Sequence, residues 1–379
     1  MPPLPLITAQ TEEKLLAFLT EHGHTKFRTQ QVLDWVWRKR VTTFDAMSNL
    51  PPALKNLLAE NFRFHTPEIV EIHGSADTTR KFLTRMEDGS LVESVIIPAA
   101  AAENGEKSER VTLCVSSQVG CAFGCKFCAS GLLGLKRHLT TGEIIGQILS
   151  AEAIAGKRVN NIVFMGMGEP LDNYDNVLAA LEVLTSPWGM AWSPTRITLS
   201  TAGITPRLEQ LIEATKAHIA VSLHNPFHDQ RAEIMPVEKA YPIRELTDML
   251  RRHDFSGQRR LSFEYILMEG LNDTAAHIRE LRRLLNGLNC RINIIRFHRI
   301  PDSPYFSPPR QKMEAFRDRL TAGGIHTTIR ASRGEDIQAA CGLLSTAEAM
   351  RRAEQRRSQD HDTAEGDTHR PTTKQTTER

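Results

Sequence analysis

The chain has 379 residues, 40% of them hydrophobic, and 47 basic against 45 acidic side chains leave a formal net charge of +2. That length supports one large core with a smaller appended unit, and the near balance of charge neither demands nor forbids a nucleic-acid partner, because local clustering decides that. The opening MPPLPLITAQ lacks a charged-then-apolar leader and no run approaches the ~18 apolar residues of a membrane span, so a cytoplasmic protein with no membrane contact is expected, whose six cysteines point to metal or catalytic chemistry more than to structural disulfides.

Residues 1–65 read as a small helical accessory domain. TEEKLLAFLTEHG closes on Gly23, TQQVLDWVWRKR follows, and LPPALKNLLAENF begins after a proline pair. In DWVWRKR, Trp35 and Trp37 stand beside Arg38, Lys39 and Arg40, a composition suited to RNA phosphates next to an aromatic and equally to a helix that buries its tryptophans and solvates its charges. Residues 66–105 change period to a short β region: EDGS is a turn, and in LVESVIIPA the residues Leu91, Glu93, Val95 and Ile97 share one strand face.

From Val111, short apolar strands alternate with helix-length segments: VTLCVSS, NIVFMG, RITLST, HIAVSLH, LSFEYILM and RINIIRFH, with HTTIR as a further strand. The pattern predicts an α/β fold in which residues 106–346 build a partial (β/α)6 barrel with function at its C-terminal rim. Residues 347–379 are polar and almost free of large apolar side chains, which predicts a disordered tail.

Directly after the first barrel strand, SSQVGCAFGCKFCAS places Cys121, Cys125 and Cys128 in a Cys-x3-Cys-x2-Cys spacing, with Gly120 and Gly124 to let the backbone wrap a bulky group. Structural zinc asks for four protein ligands, as a 4Fe-4S cluster normally does. Three leave an open metal position, and the arrangement resembles the radical S-adenosylmethionine (SAM) enzymes, whose cluster binds the cofactor there; a zinc-bound, non-catalytic RNA-binding protein is the alternative from another class. NIVFMGMGEP runs a strand into Gly168 and Glu169, similar to the superfamily's motif for the cofactor's ammonium group. Alternation in HIAVSLH sets His218, Ala220, Ser222 and His224 on one face against Ile219, Val221 and Leu223, while Ser200 and His298 end the third and sixth strands. Of the other cysteines, Cys114 lies on the first barrel strand, Cys341 lies in DIQAACG, and Cys290 reads as a small core hydrophobe.

In order along the chain, CVSSQVGCAFGCKFCASGLLGLKRHLT, GMGEP, LSTAGI, AVSLHNP and RGEDIQAACG resemble the RlmN/Cfr family of RNA methyltransferases, over nearly everything but the tail. The resemblance implies methylation of adenine C2 in 23S rRNA, at the peptidyl transferase centre, and in tRNA, 3′ of the anticodon, with adenine C8 as the alternative target. It implies a 4Fe-4S cluster on Cys121, Cys125 and Cys128, and SAM on Gly168, Glu169, Ser200, Ser222, Leu223, His224 and His298. It makes Cys341 the methyl carrier, Cys114 the thiol that resolves the adduct through a transient disulfide, and Glu93 the proton acceptor. A reducing electron donor such as flavodoxin and a monomeric protein are also implied, and GLKRHL beside the cluster joins DWVWRKR as a candidate RNA contact. His298 stands where the family often has asparagine, and ACGLL replaces the usual ACGQL.

Overall fold

A computed structural model describes residues 3–75, 78–98, 110–257, 259–300 and 303–331; Cys341 and the tail lie outside the described residues. Three helices open the chain: Glu12–Glu21, Lys26–Trp37 and Pro52–Asn61. The first is capped by the Thr11 side chain, which accepts from the Lys14 backbone N–H at 3.3 Å, with Glu12 and Glu13 in the first turn facing the positive end of the helix dipole. Leu15, Leu19, Val36, Leu54 and Leu58 from these helices join the core of the barrel itself, so the helical module has no separate apolar centre.

Strands β1 (Glu68–Gly74), β2 (Arg80–Arg85) and β3 (Leu91–Pro98) make an antiparallel meander, and β3 pairs antiparallel with β4 (Val111–Cys114). A detached hairpin follows, β5 (Gln118–Gly120) with β6 (Leu135–His138). From β4 onward all neighbours are parallel: β4, β7 (Asn161–Phe164), β8 (Ile197–Thr201), β9 (His218–Ser222), β10 (Leu261–Leu267), β11 (Arg291–Arg296) and β12 (His326–Ile329). The ten-stranded sheet has β1 and β12 as its edges. It is thus an open barrel, with HTTIR as its outermost parallel strand and the β extension paired onto the opposite side.

Alternation divides the strands as the pleat requires. Ile162, Phe164, Ile197, Leu199, Ile219 and Val221 enter the main core with the crossover helices, whereas Val163 packs with Val95 and Cys114 in a separate cluster on the other face. No helix among the described residues is long and apolar enough to cross a membrane.

Candidate active site

The cysteine loop is held from both ends. β5 and β6 close its base, and the Cys121 backbone N–H donates to Gly134 O at 3.1 Å, an approach so close that a Cβ on Gly120 would lie 1.8 Å from the same oxygen. The Cys128 N–H donates to Cys125 O at 3.1 Å, turning the chain so that all three half-buried thiols line one cavity of about 400 Å³ at the C-terminal ends of the strands. Burial pushes the Cys121 thiol up to about 12 and raises Cys125 as well, each reinforced by neighbouring sulfurs. Empty of metal, such thiols keep their protons, and a soft cation must displace them. Among the described residues no three side chains converge closely enough for a single metal ion. Structural zinc asks for four protein ligands, whereas three thiols lining one cavity can hold three corners of a cuboidal cluster and leave the fourth open, so the donor set fits iron–sulfur better than zinc.

Across the cavity, β7 runs into Gly166 and Gly168, which line it together with Glu169, Ser200 and Ser222. The Glu169 backbone N–H donates to Gln118 Oε1 (2.8 Å), and its carboxylate accepts from the backbone N–H groups of Leu171 (3.0 Å) and Ala202 (2.7 Å). Burial nevertheless raises this acid to about 7. His224 takes a left-handed φ of 53° and lies edge-on to the Phe127 ring, centroids 4.6 Å apart. Its Nδ1 accepts from the Ile266 backbone N–H at 3.0 Å, and burial, followed by the charge of Arg231, lowers its pKa to about 3. A neutral ring that accepts at Nδ1 carries its proton on Nε2, so His224 is a donor there. His298 lines the same cavity. Leu223 does not: its side chain is fully buried in the main core, and its backbone N–H and carbonyl bond to Glu264 O and to Arg231 Nε.

Cys114 is buried yet opens onto this cavity with Val95, its cross-strand partner on β3. Glu93 lies on the same face of β3 one pleat nearer the rim, where Ser116 Oγ donates to its backbone carbonyl at 2.6 Å. Its carboxylate forms a fully buried ion pair with Lys81 Nζ at 2.7 Å. The lysine comes from β2, on a diagonal of the antiparallel register. Cys290 sits against the main core outside the cavity, as a small hydrophobe would.

The two basic motifs are more muted than their sequences. Trp37 is buried, Trp35 is half-buried beneath Lys39 Nζ at 3.6 Å from the ring centroid, Arg40 pairs with Glu152, and the exposed Arg38 and Lys39 share Asp34 as their acidic partner. In GLKRHL, Arg137 is bound by Asp88 and Glu143, leaving Lys136. Local reading did not single out Lys81, Gln118 or Arg231: each stands in a mixed or polar segment, DTTRKFLTR, VSSQVGC and FHDQRAEI, and its burial depends on partners from other elements, so no local signal marked it.

Residues 7–63 match the family model described as the ribosomal RNA large subunit methyltransferase N-terminal domain, and residues 115–285 that of the radical SAM superfamily. A probable dual-specificity RNA methyltransferase RlmN of Akkermansia muciniphila is 66% identical over 345 residues, covering 91% of this chain and 96% of that one. The chain belongs to the RlmN family. An RlmN relative from Parabacteroides distasonis is 46% identical over 90% of this chain and 96% of its own. The crystal structure of a radical SAM methyltransferase from Sphaerobacter thermophilus superposes with a TM-score of 0.80 at 38% identity, covering 90% of this chain and 99% of that one. RlmN membership brings with it a 4Fe-4S cluster and SAM, for which the cavity has the donors just described.

Proposed function

We propose that the protein is a radical SAM methyltransferase that places a methyl group on C2 of adenosine in 23S rRNA and in tRNA. The observation that carries the reading is Cys114: a fourth thiol, no part of the ligand motif, opens onto the cavity that the cysteine triad lines. The double substrate range accords with the name of its relatives, probable dual-specificity RNA methyltransferases.

Cys121, Cys125 and Cys128 are the residues that would hold the cluster, whose chemistry is to supply the electron that splits SAM into methionine and a 5′-deoxyadenosyl radical. The protein's own side chains do the rest. Glu169 receives the cofactor's ammonium group, and the hydroxyls of Ser200 and Ser222, the Nε2–H of His224 and His298 meet its carboxylate and ribose. Phe127, Met235 and Phe297 wall the cavity with apolar surface and exclude water from a radical site. Cys341, its sulfur methylated at the expense of one SAM, would carry the carbon to the base: after a hydrogen atom is taken from the S-methyl group by the radical from a second SAM, the carbon bonds to adenine C2, and Glu93 accepts the C2 proton as one electron leaves the adduct. Cys114 then attacks the Cys341 sulfur; the carbon–sulfur bond breaks, its electron pair stays with the carbon, which takes up a proton to become the methyl group, and the RNA leaves behind a Cys114–Cys341 disulfide. The target adenine has to leave its stack to enter so narrow a space, which favours folded loops over duplexes. We place the enzyme in the cytoplasm as a monomer served by a flavodoxin-type reductant.

Digesting enzyme-treated rRNA and tRNA to nucleosides and separating the methyladenosine isomers by mass spectrometry tests the reading. We expect 2-methyladenosine from both; 8-methyladenosine alone would overturn the assignment.

A further inference from the structure

Arg231, in the helix His228–Ile234 just after β9, has no exposed surface. Its Nε donates to Leu223 O (2.9 Å), its Nη2 to Ser222 O (2.7 Å) and Ala202 O (3.0 Å), and its Nη1 to the Glu238 carboxylate. One guanidinium therefore ties together the carbonyl ends of β8 and β9, the strands that bring Ser200, Ser222 and His224 to the cavity. Glu238, buried as well, accepts from the Ile243 N–H (2.9 Å) and bonds His228 Nδ1 (2.8 Å), fixing the far side of the guanidinium.

The cysteine loop rests on the same segment. The Lys126 N–H donates to Ile234 O at 3.0 Å, and Cys125 and Phe127 pack with Ile234, Met235 and Val237. The Met235 N–H in turn donates to Arg231 O at 2.7 Å, so the guanidinium and the cysteine loop share one turn of chain. A salt bridge buried this deeply is a poor source of stability, because desolvation offsets most of the attraction. Neutral donors would satisfy the same carbonyls at lower cost, so the charge itself asks for a use.

We propose that Arg231 is a positioning residue that holds the cluster loop in register with the strand ends and supplies a fixed positive charge making the iron–sulfur site easier to reduce. This rests on the radical SAM reading. A site that gains an electron becomes more negative, and a fixed cation in a water-poor environment stabilises that state while Glu238 opposes it. The two side chains thus act with opposite signs.

The test uses the full chain, reconstituted anaerobically with iron and sulfide and titrated with a mediated reductant while electron paramagnetic resonance counts the reduced cluster. Arg231→Gln should lower the reduced-to-oxidised ratio at fixed potential about ten-fold, which is ~59 mV for one electron. Glu238→Gln should shift the ratio the other way. Arg231→Lys keeps the charge but not the planar fork, so it should hold the ratio near wild type while weakening SAM binding about ten-fold. Ratios within two-fold of wild type in both glutamine variants, or shifts of the same sign, would overturn the proposal. If Arg231→Gln does not fold, the sign of the Glu238→Gln shift decides alone. Failure of the wild-type protein to take up iron at all would instead strike the radical SAM reading.

Discussion

Two buried acids carry opposite solutions to the same electrostatic problem. Glu93 has a resident cation, Lys81 Nζ at 2.7 Å, both side chains fully buried. Removing one partner of such a pair strands the other charge, so Lys81→Met should cost about 3–5 kcal/mol of unfolding free energy, and Lys81→Met with Glu93→Leu should recover most of it. Chemical denaturation measures both; a double variant no better than the single would mean that Lys81 matters through packing alone. Glu169 is held by neutral donors, the backbone N–H groups of Leu171 and Ala202 and the Thr201 hydroxyl, and burial lifts it to about 7. The folded state binds its proton more tightly than the unfolded chain, so this group's contribution to stability is full at acid pH and is lost as pH rises through about 7. A bound ammonium group reverses the preference. SAM affinity should therefore weaken as pH falls below about 7, approaching ten-fold per unit, and Glu169→Gln should lack that dependence. Equilibrium dialysis of both proteins between pH 5.5 and 8 compares the slopes; equal slopes would remove Glu169 from ammonium recognition.

At the scale of elements, the rim loops place the chemistry and the strands merely aim them. Gly168 has a φ of 96°, and a Cβ there would lie 2.4 Å from Gln118 Cβ, the residue whose amide carbonyl receives the Glu169 N–H. Gly168→Ala should cost about 1–3 kcal/mol of local strain and relieve it by moving the Glu169 turn. The expected outcome is an unchanged circular dichroism spectrum with SAM affinity down at least ten-fold; full affinity would show that the turn adapts. All seven parallel strands were legible because each is a short apolar run between turn residues, and β9 even showed its two faces, with Ser222 turned to the cavity and Ile219 and Val221 to the core. The cysteine spacing and the Gly-Glu turn were legible for the same reason: their meaning lies within a few neighbouring residues. Arg231, Lys81 and Gln118 were not, because a charged or polar side chain is buried only when partners from other strands meet it, and no local period encodes that meeting. Leu223 shows the converse: its position in AVSLHNP names it for the cofactor, and its side chain belongs to the core.

The whole molecule joins an RNA-binding module, as we read it, to a radical chamber, and the joint runs along one helix. Thr141–Ala155 starts directly after β6, with a capping box of Thr140 and Glu143. Glu143 also binds Arg137 on β6, so the helix is mechanically continuous with the cysteine hairpin. Down one of its faces Gly142, Gly146 and Ser150 recur every four residues. Leu6 and Ala9 lie against Gly142, Pro67 lies against Gly146, and Ser150 Oγ donates to Pro67 O at 2.8 Å. Small residues at this spacing let the two ends of the helical module, before its first helix and after its last, seat directly on the helix backbone. A Cβ on Gly146 would already lie 2.6 Å from Pro67 Cδ. Gly146→Leu should therefore force the module outward at a cost of about 1–3 kcal/mol, with the cavity and its cysteine loop left in place. Release of 5′-deoxyadenosine without RNA should stay within two-fold of wild type, while methylation of rRNA and tRNA falls at least ten-fold. That separation follows only if the helical module presents RNA to the chamber from a fixed position; a variant that is destabilised yet methylates RNA at the wild-type rate would show that the seat on this helix serves stability alone.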